Sequence, residues 1–347
     1  MNVAIRINGR APAWPVLLEN EHPFYAPYSP GSLASVSYSI LAYEESVPEN
    51  KLWETVVDAG HNTVPSLIQH GNRIPETILL THAHNDHVLG VDWIVQSYYF
   101  KHRKSKKYPL YSTKEVWYSF IQLFPYLQDI IAHTELLPGR KTLIKETGNM
   151  FVTAFPVYHG ESARGASMLF FEGEGLQPAI ISGDLLCPLL RKKDYQTLNR
   201  ARVMFVDTNN RYPDPLSNHT SFTSRLPGKK EKADKLTMWF NSTSLKRLVD
   251  PHICSNCHTS IRHYFDEFMT DWKQVSDVPH TILELNKLLK IPEVYLVHYF
   301  GYYDRINYSE DLMNTHMLEK WANNCAKEMN MYEEIFKVPQ VGELINL

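Results

Sequence analysis

The stretch Thr81-His82-Ala83-His84-Asn85-Asp86-His87 is the richest histidine cluster in the sequence. Three imidazoles and one carboxylate fall within six residues, directly after the apolar run Ile78-Leu79-Leu80. Alternate side chains at a strand end share one side, so His82 and His84 point together, and the following turn brings Asp86 and His87 to a second position. Nitrogen and oxygen donors this dense are costly to bury without a partner. They suit zinc or a similar divalent ion. Histidine is also unusually frequent overall, at 16 residues against 15 glycines.

The elements that must position this cluster alternate along the first half of the chain. Residues 1–7 read as a strand. Val36, Tyr38, Ile40 and Ala42 alternate with Ser35, Ser37 and Ser39, the period-two pattern of a strand. Residues 52–58 predict another strand, ending at Ala59-Gly60, and 65–70, closed by Gly71, predict a short helix. A strand at 77–80 leads into the cluster, and 88–98 read as a helix. Residues 108–112 predict a strand and 113–124 a helix capped by Thr113. Residues 150–157 form a strand, and 168–171 and 179–181 flank Glu172-Gly173-Glu174-Gly175 as a hairpin. Strands follow at 203–207 and 293–297. Between them, 208–235 read as polar loop and 236–290 as mostly helical. Residues 309–335 predict a C-terminal helix with the apolar stripe Leu318, Trp321, Ala322, Cys325 and Met329. Strands followed by helices, twice over, imply a layered α/β architecture.

Composition sets the frame. The chain has 347 residues and a net charge of −3, so no global basic field points to nucleic acid or an acidic membrane. The N-terminus lacks the pattern of a signal peptide, and no apolar run is long enough to span a bilayer. The four cysteines, Cys187, Cys254, Cys257 and Cys325, do not make a disulfide framework. The expected compartment is the cytoplasm. The basic run at 101–107 reads either as a solvated loop or as a phosphate-attracting rim.

On these residues the sequence resembles the metallo-β-lactamase-fold hydrolases, whose hallmark is HxHxDH. The remaining motifs of that family occur in order, each at a predicted strand end: Asp58 in Val57-Asp58-Ala59-Gly60, His159 in Val157-Tyr158-His159-Gly160, Asp184 in Ile181-Ser182-Gly183-Asp184, and His298 in Tyr295-Leu296-Val297-His298. The resemblance implies a four-layered αββα sandwich over residues 1–347, with 208–290 as a mainly helical insertion or cap and 299–347 as a C-terminal extension. It implies two divalent metal ions per chain: zinc, with manganese or iron as alternatives. His82, His84 and His159 would bind one, Asp86, His87 and His298 the other, with Asp184 bridging and Asp58 orienting the site. Water held between two such cations becomes hydroxide near neutral pH, so the resemblance implies a hydrolase, with Asp86, Asp58 and His219 in its catalytic machinery.

The run from His82 to Asp92 resembles the phosphodiesterase branch, which often reads HAHxDHxxGxD and includes cyclic-phosphate phosphodiesterases and tRNase Z-like enzymes. Relatives in that branch present a further histidine, here His219, which either protonates a leaving alkoxide or is a solvated loop residue. The implied substrate is a small or cyclic phosphodiester rather than a long nucleic acid, and family habit implies a homodimer. A lactonase, thioesterase or amidase, a non-catalytic metal-binding regulatory protein, and an iron-dependent oxygenase are the rivals. The aromatic run 299–304 either stacks on substrate or packs under the C-terminal helix. Cys254-Ser255-Asn256-Cys257-His258 matches a haem-attachment pattern that would require export. With His252 or His258 the two cysteines could hold an accessory zinc, or they are simply reduced cysteines starting a helix.

Overall fold

The computed structural model describes all residues except 1, 14–33, 45–46, 161, 214–216, 225–263, 265, 269, 273–277, 280, 300–313 and 333; at 47–51 it describes the backbone alone. Cys254, Cys257 and most of 208–290 and of the aromatic run lie outside the described residues.

In chain order the elements are β1 (Asn2–Gly9), β2 (Ser37–Glu44), β3 (Val47–Val57), α1 (Thr63–Gln69), β4 (Thr77–Leu79), α2 (Asn85–Val88), α3 (Val91–Lys101), β5 (Tyr108–Ser112), α4 (Lys114–Leu123), β6 (Ile131–Glu135) and β7 (Lys141–Leu143). There follow β8 (Met150–Tyr158), β9 (Ser167–Gly173), β10 (Ala179–Ile181), β11 (Cys187–Pro188), α5 (Lys192–Leu198), β12 (Val203–Asp207), α6 (Ile282–Leu289), β13 (Glu293–Val297), α7 (Thr315–Glu328), β14 (Phe336–Lys337) and β15 (Leu344–Asn346).

They form two sheets. The first runs β15-β1-β2-β3-β4-β5-β6, and the second runs β11-β8-β9-β10-β12-β13-β14 with β7 pairing to β8. Side-chain alternation decides what each face meets. In β12, Val203 and Phe205 enter a core shared with Ile5, Ile40 and Val57 of the first sheet. Their neighbours Met204 and Val206 enter a different core, under Leu283 of α6 and Leu318 and Ala322 of α7. The same switch separates Leu79 from Ile78 in β4, the latter packing on Val91 and Ile94 of α3. The order through the molecule is therefore helices, sheet, sheet, helices. Tyr38 and Phe205 join the two sheets with ring centroids 5.1 Å apart.

The predicted strands at 108–112, 203–207 and 293–297 are observed with those limits, and Thr113 caps α4 by accepting from Val116 N at 3.4 Å. The segment expected as an extension supplies an edge strand to each sheet: β14 pairs with β13, and β15 with β1. Among the described residues no helix is long and apolar enough to cross a membrane.

Candidate metal centre

β3 and β4 run parallel, as do β10, β12 and β13, while β8 reaches the same direction through two antiparallel steps across β9. Their C-terminal ends deliver Asp58, the HxHxDH segment, His159, Asp184, Asp207 and His298 to one place. Two of these junctions use a left-handed backbone at a residue that carries a side chain, Asp58 (φ 54°) and His298 (φ 52°). That conformation is uncommon outside glycine and persists where surrounding contacts hold it. Gly60 lets the segment close over the strand, since a Cβ there would lie 1.5 Å from the carbonyl oxygen of Asp86.

The imidazole tautomers follow from what each ring nitrogen faces, because a carboxylate or carbonyl oxygen can only accept. His87 Nδ1 lies 2.9 Å from Asp58 Oδ2 and therefore carries the proton. Thr81 donates to the same carboxylate through its hydroxyl at 2.6 Å and its backbone N–H at 2.8 Å. With that hydroxyl's proton committed, it accepts from His82 Nδ1 at 3.1 Å. Asp58 thus sets two rings, His87 directly and His82 through Thr81. His159 Nδ1 donates to the Asn218 carbonyl at 3.0 Å. His84 Nε2 meets Ser162 Oγ at 3.0 Å.

The opposite nitrogens converge. His82 Nε2, His87 Nε2, His159 Nε2 and His298 Nε2 lie 3.7, 3.3, 3.6 and 3.3 Å from Asp184 Oδ2, and His298 Nε2 is 3.2 Å from Asp86 Oδ2. Donor atoms of His82, His84 and His159 form one group within 4.8 Å, and those of Asp86, His87, Asp184 and His298 form a second. Among the described residues, His82 Nε2, His87 Nε2 and Asp184 Oδ1 are buried and have no hydrogen-bond partner. Buried polar atoms are ordinarily paired. Three unpaired ones inside a nest of imidazoles and carboxylates fit divalent cations, in both donor chemistry and spacing.

Electrostatics divide the same residues. Burial, helped by the neighbouring His219, pushes His159 down to about 3, and burial with His87 nearby lowers His82. Burial also opposes a charge on His298, but Asp184, Asp207 and Asp86 outweigh it and raise the group to about 10. Burial would raise Asp184, yet His298 and His87 hold it at about 2. Of the four imidazoles around Asp184, the two that also face a second carboxylate, His87 and His298, are raised, and His82 and His159 are lowered.

Residues 46–209 match the family model described as the metallo-beta-lactamase superfamily. The chain carries a metallo-β-lactamase domain. No curated protein matches the sequence. Among solved structures it is similar to a diphosphatase from the PhnP family (TM-score 0.60, 12% identity, covering 100% of this chain and 98% of that one). It is also similar to the metallo-beta-lactamase fold protein YhfI from Bacillus subtilis (0.57, 11%, 100% and 100%) and to Zn(2+)-bound PqqB from Methylobacterium extorquens (0.52, 13%, 99% and 100%). Identities this low speak to the fold.

His219 and His298 lie beyond the matched residues 46–209, yet both reach the centre. The His219 ring stands between those of His159 and His298, at 4.6 and 5.1 Å. Its Nδ1 donates to Asp207 Oδ2 at 2.7 Å, and Asp207 Oδ1 faces His298 Nδ1 at 3.4 Å. Asp207 is a buried anchor for two rings; a carboxylate ending a strand beside a later histidine was the available signal. Thr81 and Asn218 had none, because their roles depend on chain segments distant in sequence. The basic run at 101–107 joins the end of α3 to the start of β5, at the edge of the sheet opposite the strand ends that carry the centre, so it forms no rim around it. Tyr299 is buried in the core under α7, which favours packing over stacking on substrate.

Proposed function

We propose that this chain is a dinuclear metal-dependent hydrolase acting on a small or cyclic phosphodiester. The observation that carries the reading is the trio of buried, unpaired donor atoms on His82, His87 and Asp184. His82, His84 and His159 would hold one cation, Asp86, His87 and His298 the other, and Asp184 both. When bound, two divalent cations, with zinc the proposed metal, would supply Lewis acidity and a water of lowered pKa.

The chain's own residues do the rest. Asp58 keeps the Nδ1 protons of His87 and, through Thr81, His82 in place, so each Nε2 presents a lone pair to the centre. Asp207 holds the Nδ1 proton of His219 and fixes its ring beside the metal ligands. A second proton, carried on His219 Nε2 and taken from solvent, is proposed to pass to the leaving alkoxide as the P–O bond to it breaks and water's oxygen bonds to phosphorus. The built Asp207–His219 pair suits an alkoxide leaving group, which gains from protonation, over the thiolate of a thioester, which does not need it. The fold shared with a diphosphatase accords with this choice.

Metal content and hydrolysis of bis(p-nitrophenyl) phosphate, measured on one preparation of wild type and of Asp184→Ala, test the proposal. Two metals per chain and turnover lost in the variant are expected. Two metals without turnover would move the substrate to esters, thioesters or lactones. Absence of bound metal after zinc or manganese reconstitution would overturn the metal centre.

A further inference from the structure

The outer face of the first sheet, under α1, carries a buried polar lane where an apolar face would be simpler to build. Arg6 and Glu54 pair there, at 5% and 1% side-chain exposure. A buried ion pair is weak support for stability, and apolar replacement is often neutral or favourable. The lane has an order instead. Arg6 Nε donates to Asn8 Oδ1 at 3.1 Å, and Arg6 Nη2 donates to Ser39 Oγ at 3.0 Å. With its oxygen committed, Asn8 turns its amide N–H groups to Ser39 Oγ at 2.9 Å and Ser37 Oγ at 3.4 Å. Ser37 accepts from Asn8, and its own proton goes to the carbonyl oxygen of Asp58 at 2.7 Å. Asn8, Ser37 and Ser39 are fully buried.

Asp58 is the residue at which this lane ends, and it has left-handed backbone despite its Cβ. Its N–H is held by Leu79 O at 2.9 Å, and its side chain is spent on Thr81 and His87. The Ser37 hydroxyl completes the set by fixing its carbonyl. Rotation of that peptide would swing the carboxylate away from His87 and Thr81 together.

We propose that Ser37 is a positioning residue for the metal centre, acting through the Asp58 carbonyl on the rings of His87 and His82, with Asn8, Arg6 and Glu54 setting the direction in which its hydroxyl donates. This rests on the metal-centre reading above. Partners that orient ligands from outside a metal's coordination sphere typically change affinity by about 10–100-fold.

The test is zinc affinity and stoichiometry by competition with a chromophoric chelator, together with the melting temperature of the metal-free protein. Ser37→Ala is expected to weaken one of two zinc ions by about tenfold. Ser37→Thr, which restores the hydroxyl, is expected to bind as wild type. Ser35→Ala, a buried serine on the same face with no bond to Asp58, controls for packing and is expected to bind as wild type. Equal affinity in Ser37→Ala and wild type would overturn the proposal, as would equal losses in Ser37→Ala and Ser35→Ala. If Ser37→Ala does not fold, Asn8→Ala decides the matter one hydrogen bond further back, with the same expected direction. A wild type that binds no zinc would remove the metal-centre reading itself, a failure distinct from any difference among the serine variants.

Discussion

Asp58→Asn isolates what one carboxylate does for two imidazoles. The amide is nearly the size of the carboxylate but offers one acceptor oxygen where there were two. In the wild type, Oδ1 takes the Thr81 N–H, and Oδ2 takes both the Thr81 hydroxyl and His87 Nδ1. If the Asn oxygen keeps the backbone N–H, its NH2 faces the Thr81 hydroxyl and His87 Nδ1, both of which were donors. His87 must then move its proton to Nε2, which points at Asp184 and Asp86, 3.3 and 3.4 Å away. A protonated Nε2 cannot ligate a cation. Hydrogen bonds to a charged group contribute about 1.5–3 kcal/mol. At about 1.4 kcal/mol per factor of ten, the expected loss is roughly tenfold to hundredfold in zinc affinity at the Asp86–His87–His298 position. Chelator competition measures it, and long-range nitrogen–proton correlation spectra of the histidines report the tautomer directly. Wild-type affinity for both ions, or a His87 ring that retains its Nδ1 proton in the variant, would refute the reasoning.

Other outcomes follow from the same geometry. In the metal-free protein His298 is raised to about 10 by Asp184, Asp207 and Asp86, so zinc must displace its proton. Affinity should therefore climb with pH, up to about tenfold per unit between about pH 6 and about pH 8 for one proton released, and calorimetry in buffers of different ionisation enthalpy counts the protons. His133, stacked on Trp117 at 4.6 Å and 5°, is held by burial at about 4. The unfolded chain takes up that proton first as pH falls, so stability should drop from about pH 6.5 to about pH 4 by on the order of 2 kcal/mol. Urea unfolding of wild type beside His133→Phe, which should lose this component, checks the sign. Gly60→Ala should cost about 3 kcal/mol or prevent folding, because its Cβ would collide with the Asp86 carbonyl; thermal unfolding shows whether the segment can yield.

The sequence made the centre legible because each donor stands at a strand end, where an apolar run stops at a His or Asp. Strands buried on both faces, such as Val203–Asp207 and Glu293–Val297, announce themselves by continuous apolar residues. The short edge strands did not. Phe336–Lys337 and Leu344–Asn346 are set by partners far away in sequence, Val294–Tyr295 and Ala4–Arg6, and carry little local propensity. Lys141–Leu143 is an edge strand with exposed ends, which reads as loop. The serine alternation at 35, 37 and 39 was visible as the polar side of a strand. That this side is buried, with Arg6 and Glu54 against it, depends on α1 covering the sheet, which periodicity does not report.

Neither sheet owns the centre. Asp58, His82, His84, Asp86 and His87 follow strands of the first, and His159, Asp184, Asp207 and His298 follow strands of the second. The two sheets assemble from distant parts of the chain, so a partly folded molecule with one sheet formed holds only part of the donor set. A cation held at the proposed centre would therefore stabilise only chains in which both sheets have formed.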